Sequence, residues 1–163
     1  MTGERKKWVT LISATLAAPI FAATLTATLL ALLIFPDLIF RTEVTSGAYR
    51  AATLREMATS LVGFSFMGLA FGIMIGWPAM LIGGLPLHRL LVRHQNTQAW
   101  AYALAGTLVG TVVMVVYFML ANGWRDPVSV FLSGPVLLSG PVTGLLSASI
   151  FWLIRRPDRI PAP

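Results

Sequence analysis

The sequence predicts an all-α, polytopic membrane protein: a bundle of four transmembrane helices with both ends on the cytoplasmic side. Three observations carry that expectation. Only 11% of the 163 residues are charged and 56% are hydrophobic, whereas a soluble domain has about 25% charged residues. Every charged residue lies outside four long apolar runs. The basic residues are distributed unequally between the two sides that those runs define.

The four runs without Asp, Glu, Lys or Arg are Trp8 to Pro36, Met57 to His88, His94 to Trp124 and Pro127 to Ile154. A helix rises 1.5 Å per residue, so about 20 apolar residues cross a hydrocarbon core of about 30 Å. Each run crosses once and none is long enough to cross twice. The spans are expected at 9–35, 58–82, 99–121 and 129–154, in one transmembrane domain covering 1–163.

The first run has the basic start of a signal peptide (Arg5, Lys6, Lys7), and Phe21-Ala22-Ala23 resembles a cleavage region. Its apolar stretch continues to Phe35, well beyond an h-region of about 7–15 residues. It is therefore read as an uncleaved first span.

Orientation follows from the Lys and Arg residues. Arg5, Lys6, Lys7, Arg89, Arg93, Arg155, Arg156 and Arg159 fall on one side. Arg41, Arg50, Arg55 and Arg125 fall on the other, largely matched by Asp37, Glu43, Glu56 and Asp126. The positive-inside rule places the first set in the cytoplasm. Trp8, Trp100 and Trp152 sit near that boundary and Trp124 near the opposite one, as expected of amphipathic rings at head-group depth. Trp77 lies deeper, beside Pro78. A kink at that proline would carry it toward the interface.

The longest exterior segment is about residues 37–57. Thr53-Leu54-Arg55-Glu56 fits a capping box before an apolar run, so span 2 is expected to begin outside the membrane, with Tyr49, Leu54 and Met57 along its surface. Gly83-Gly84-Leu85-Pro86 reads as the terminator of that span. Leu87 to His94 then reads as a short basic interfacial segment in which Arg89 and Arg93 meet anionic lipid head groups. Arg155 and Arg156 are expected to do the same after span 4.

Within lipid, helices gain little by hiding apolar surface from one another, and close backbone approach matters more. Small residues recur every third or fourth position: Gly68, Gly72 and Gly76 in span 2, Ala99, Ala103, Gly106 and Gly110 in span 3, Gly140, Gly144 and Ala148 in span 4. Span 1 carries Ala14, Ala18 and Ala22, then Ala23, Ala27 and Ala31. Such spacing lines up one helical face. These seams serve packing inside one chain, or one of them, foremost the GxxxG face of span 2, meets another copy or a partner subunit.

In span 4, Ser133-Gly134-Pro135-Val136 recurs as Ser139-Gly140-Pro141-Val142. A proline removes a backbone donor and clashes with the preceding turn, so Pro135 and Pro141 are expected to break or bend the helix. The result is either a kinked packing helix or a broken helix that binds an ion or polar solute. Pro19 and Pro78 are expected kinks in spans 1 and 2.

Chemistry is sparse. No charge lies inside a span, where one would point to function. The hydroxyls that would line a polar path are Ser13, Thr15, Thr24, Thr28, Ser65, Thr107, Thr111 and Thr143, and such groups often bond carbonyls of their own helix. His88 and His94, six residues apart, lack the spacing of metal ligands on one helix. Ser, His and carboxylate do not converge on one side as a catalytic set requires. There is no cysteine, so no disulfide, thiolate metal site or thiol nucleophile. No phosphate-binding loop occurs, and the basic tails are too short and dispersed for nucleic acid. No cofactor or metal is expected.

Three stretches carry a resemblance: Gly84-Leu85-Pro86-Leu87-His88 before a basic segment, Trp100-Ala101-Tyr102-Ala103-Leu104-Ala105-Gly106, and the C-terminal run from Pro141 through Phe151-Trp152-Leu153-Ile154-Arg155-Arg156-Pro157 to Arg159. Together they resemble small four-helix inner-membrane proteins of bacteria over about the last half of the chain. The resemblance implies a bacterial inner-membrane location and brings no activity, cofactor or substrate. Small multidrug transporters and fluoride channels have similar size, but their motifs are absent, as is the membrane acid of the first group.

The expected function is that of a non-enzymatic accessory or scaffold subunit, in contact with membrane lipids and with a membrane-protein partner or further copies of itself. The alternative is a small oligomeric channel or facilitator for a neutral or weakly polar solute.

Overall fold

The computed structural model describes residues 2–45, 47–122 and 138–155. They are mostly helical, and three helices are long and apolar enough to cross a membrane: Trp8–Ile34 within helix α1, then Leu54–Arg93 and Ala99–Ala121.

Helix α1 spans Thr2–Ile34. It ends where Phe35 precedes Pro36, because a residue before proline is pushed out of the helical region. Pro36 opens the one-turn helix α2, Asp37–Phe40, in which Asp37 pairs with Arg41 at 3.1 Å. The chain then forms an antiparallel hairpin, β1 (Arg41–Thr45) with β2 (Ala48–Ala51). Gly47 takes a positive φ of 86° at its turn, which glycine adopts at no steric cost. Ile39 is buried, and α2 packs on the next helix.

Helix α3 spans Leu54–Arg93. Its start is a reciprocal cap: Thr53 N–H donates to Glu56 Oε2 at 2.7 Å, and Glu56 N–H donates to Thr53 Oγ1 at 3.4 Å. Arg50 from β2 clamps the same carboxylate with two bonds of 3.0 and 2.6 Å. Tyr49 and Leu54 are exposed, and Met57 is half-buried.

The far end of α3 corrects the sequence reading. Gly83-Gly84-Leu85-Pro86 does not terminate the helix, which continues for 40 residues to Arg93. The physical reason lies in two wide turns of π-helix, Gly72–Gly76 and Met80–Gly84. Each ends with an N–H reaching back five residues, Trp77 to Gly72 O and Leu85 to Met80 O. Each is followed by a proline in second position, Pro78 and Pro86. A proline in a regular helix collides with the carbonyl four residues back. An inserted residue in the preceding turn displaces that carbonyl. Pro78 is thus accommodated within a continuous helix. The Trp77 indole donates to Leu16 O at 3.0 Å, in the turn before Pro19.

After α3 the chain reverses through Gln95, held at φ 57°. Gln95 N–H donates to Val92 O at 3.0 Å and Asn96 N–H to Leu91 O at 2.9 Å, the two bonds of a Schellman cap. Helix α4 is Ala99–Asn122 and helix α5 is Ser139–Arg155. Pro141 falls in the first turn of α5, where a missing N–H costs nothing. Pro135, with 129–137 of the expected fourth span, lies outside the described residues.

Packing is organised around α1, which lies against both α3 and α5, while α5 lies against α4. On one face Ala14 and Ala18 are fully buried in a cluster with Tyr102 and Phe151. On another, α1 receives the glycines of α3. A Cβ at Gly68 would meet Ala23 O at 2.7 Å, one at Gly72 the Ile20 Cα at 2.9 Å, and one at Gly76 the Pro19 Cβ at 2.8 Å.

The other glycine seam joins α4 to α5. Added side chains at Gly106 and Gly144 would each overlap the other's carbonyl oxygen, and one at Gly140 would meet Gly110 O at 2.6 Å. Backbones this close exclude any Cβ and gain dispersion contact along the whole seam.

Candidate functional site

Because α1 and α5 form the shared centre, α3 and α4 stand on either side of a space that neither fills. They meet at Gly83 against Val109 and at Phe71, whose ring sits edge-on to Tyr117 at 6.1 Å. The space is a half-open groove of about 610 Å³. Its walls are overwhelmingly apolar: Leu30, Phe64, Met67, Val113 and Phe118 are typical.

One end of the groove is polar. His88 of α3 and Tyr102 of α4 are 8% and 4% exposed. His88 Nδ1 and the Tyr102 hydroxyl share a hydrogen bond of 2.7 Å. Phe151 of α5 closes the cluster, edge-on to His88 at 5.1 Å and stacked on Tyr102 at 6.4 Å. Burial of two polar side chains in an apolar cluster is tolerated because each satisfies the other.

This placement corrects a second expectation. His88 does not lie on a separate segment beyond the second span but in α3 itself, buried among the packed helices. The signal was present in the sequence: Met80, Gly84, His88 and Leu91 continue one face at spacings of four, four and three. The Gly-Pro pair masked it.

Arg89 and Arg93 are exposed on the same terminal segment of α3. Arg155, one turn beyond Phe151, has a buried Nε with no hydrogen-bond partner among the described residues. Arg156 lies outside the described residues. Near the hairpin, by contrast, Arg41 and Arg50 are matched by Asp37 and Glu56.

Most of the span hydroxyls are spent locally. Ser13, Thr15, Thr28, Thr107 and Thr111 donate to carbonyls of their own helices, and Thr28 also meets Ser65 at 3.1 Å. Of the eight candidate hydroxyl residues only Thr143 lines the groove. Thr26, not singled out by the sequence, lines it too, buried and without a hydrogen-bond partner among the described residues. Among the described residues no three His, Asp or Glu side chains are grouped to hold a metal ion.

Comparison with known proteins brings no match: no family model, no curated protein and no solved structure matches this chain.

Proposed function

We propose that this chain is a non-enzymatic, four-span protein of a bacterial inner membrane, an accessory subunit that acts by binding through the α3–α4 groove. The observation that carries the reading is a half-open apolar groove in a molecule whose glycine seams are already occupied internally. The face of Gly68, Gly72 and Gly76 is taken by α1, and the same glycines border the groove. The fourth span is assigned to α5 together with the apolar residues before it, and both ends to the cytoplasm. The weighting of Lys and Arg toward the N-terminal, Arg89–Arg93 and C-terminal segments supports this orientation.

A channel for a neutral solute would gather hydroxyls along one passage. Ser13, Thr24, Thr28, Thr107 and Thr111 lie off the groove, and the hydroxyls that do line it, Thr26, Ser139, Thr143 and Ser147, are set among apolar walls.

The test is co-purification of a C-terminally tagged copy from native membranes in mild detergent. A stoichiometric second protein, lost when Val113→Trp narrows the groove, supports the reading. Recovery of the chain alone, across mild detergents and growth states, overturns it.

A further inference from the structure

The size and chemistry of the groove restrict what fills it. The groove's 610 Å³ falls in the usual small-ligand range of about 300–1,000 Å³. The lining is apolar along nearly its whole length, from Leu91 and Phe151 at one end to Phe35 and Ala121 at the other. It runs with the helices, the direction in which a bilayer orients an acyl chain.

The charges are unequal at the two ends. At the hairpin end Arg41 and Arg50 are neutralised by Asp37 and Glu56. At the His88 end Arg89, Arg93 and Arg155 have no carboxylate partner among the described residues. Arg155 also carries a buried guanidinium nitrogen without an acceptor among the described residues. A buried donor left unpaired is costly, and a phosphate oxygen is the acceptor that guanidinium groups bind best.

We infer that the groove holds one chain of an anionic membrane phospholipid, with its tail between α3 and α4 and its phosphate at Arg155 and Arg89. The inference rests on the reading of the groove as the binding surface and names a ligand within it. His88 and Tyr102 line the side of the groove near this end, where their mutual bond leaves little polar surface for the tail, and Arg89, next to His88, and Arg155, one turn beyond Phe151, are the cations on the same helix ends.

The experiment is native mass spectrometry of the full chain, delipidated in mild detergent and then supplied with phosphatidylglycerol or phosphatidylcholine. One phosphatidylglycerol per chain is expected to survive activation that strips the rest. Phosphatidylcholine carries the same phosphate, but its cationic choline is repelled by Arg89 and Arg155, so it is expected to be held about ten-fold more weakly. Arg155→Ala and Arg89→Ala are expected to erase the preference and keep the tail. Val113→Trp is expected to abolish retention of both lipids with helix content unchanged by circular dichroism. If Val113→Trp does not fold, Ala105→Leu on the same wall replaces it.

Equal retention of the two lipids by the wild type overturns the inference. So does unchanged retention in the folded groove-filling variant, since the lipid is then annular. The two readings fail separately. A partner recovered without retained lipid removes only the phospholipid, and a retained lipid without a partner removes only the accessory role.

Discussion

The 2.7 Å hydrogen bond between His88 Nδ1 and the Tyr102 hydroxyl ties the end of α3 to the beginning of α4 inside an apolar cluster. Removing the hydroxyl leaves the imidazole buried with a vacant site. Tyr102→Phe is therefore expected to destabilise the protein by about 1–3 kcal/mol, read as a lowered unfolding midpoint in detergent. His88→Leu combined with Tyr102→Phe is expected to cost less than the sum of the two single changes. Strict additivity of the pair would show that the bond contributes nothing.

The glycine seams make an opposed pair of predictions. Gly144→Ala sets a methyl group against the Gly106 carbonyl, a backbone atom that cannot yield without moving the helix. It is expected to cost about 1–3 kcal/mol, as overpacking does. Gly63, in the first half of α3, has nothing within 4 Å of an added Cβ. Gly63→Ala is expected to be neutral or stabilising by up to about 1 kcal/mol. Thermal unfolding of both variants in one detergent checks the contrast, and equal effects would refute the close approach of α4 and α5.

Gln95 occupies the left-handed position of the α3 cap, at φ 57°. A residue with a Cβ is strained there by roughly 1–2 kcal/mol, while glycine adds flexibility to the unfolded chain worth about 0.4–1 kcal/mol. Gln95→Gly is expected to leave a net gain of about 0.5–1 kcal/mol. A loss of stability on the same scale would mean that the Gln95 side chain is needed.

At the other end of α3, Thr53→Ala removes one half of the reciprocal cap. The usual cost of losing such a cap is about 1 kcal/mol. It is expected to appear as faster amide exchange at Glu56 and its neighbours with little change in Gly68 or Gly72, because the α1 contact holds the middle of the helix independently. Uniform exchange along α3 would show instead that the helix opens as a single unit.

Much of this architecture is readable along the chain. The charge-free runs determine which segments are apolar enough to cross a bilayer, because a charge in hydrocarbon is expensive wherever it falls. Thr53 and Glu56 announce the start of α3, since a cap is made by residues three apart and depends on nothing distant. The spacing of Gly106, Gly110, Gly140 and Gly144 puts them on helix faces.

Other features were decided only in three dimensions. Spacing does not say that Gly106 faces Gly144 or that Gly72 faces Ile20, because each seam fits any other small-residue face. Pro86 signals a stop in isolation. Two wide turns and the docking of Leu91 and His88 against Tyr102 and Phe151 carry α3 past it. The groove itself belongs to no segment. It exists because α1 and α5 hold α3 and α4 apart, and a space between helices is a property of their packing rather than of any local sequence.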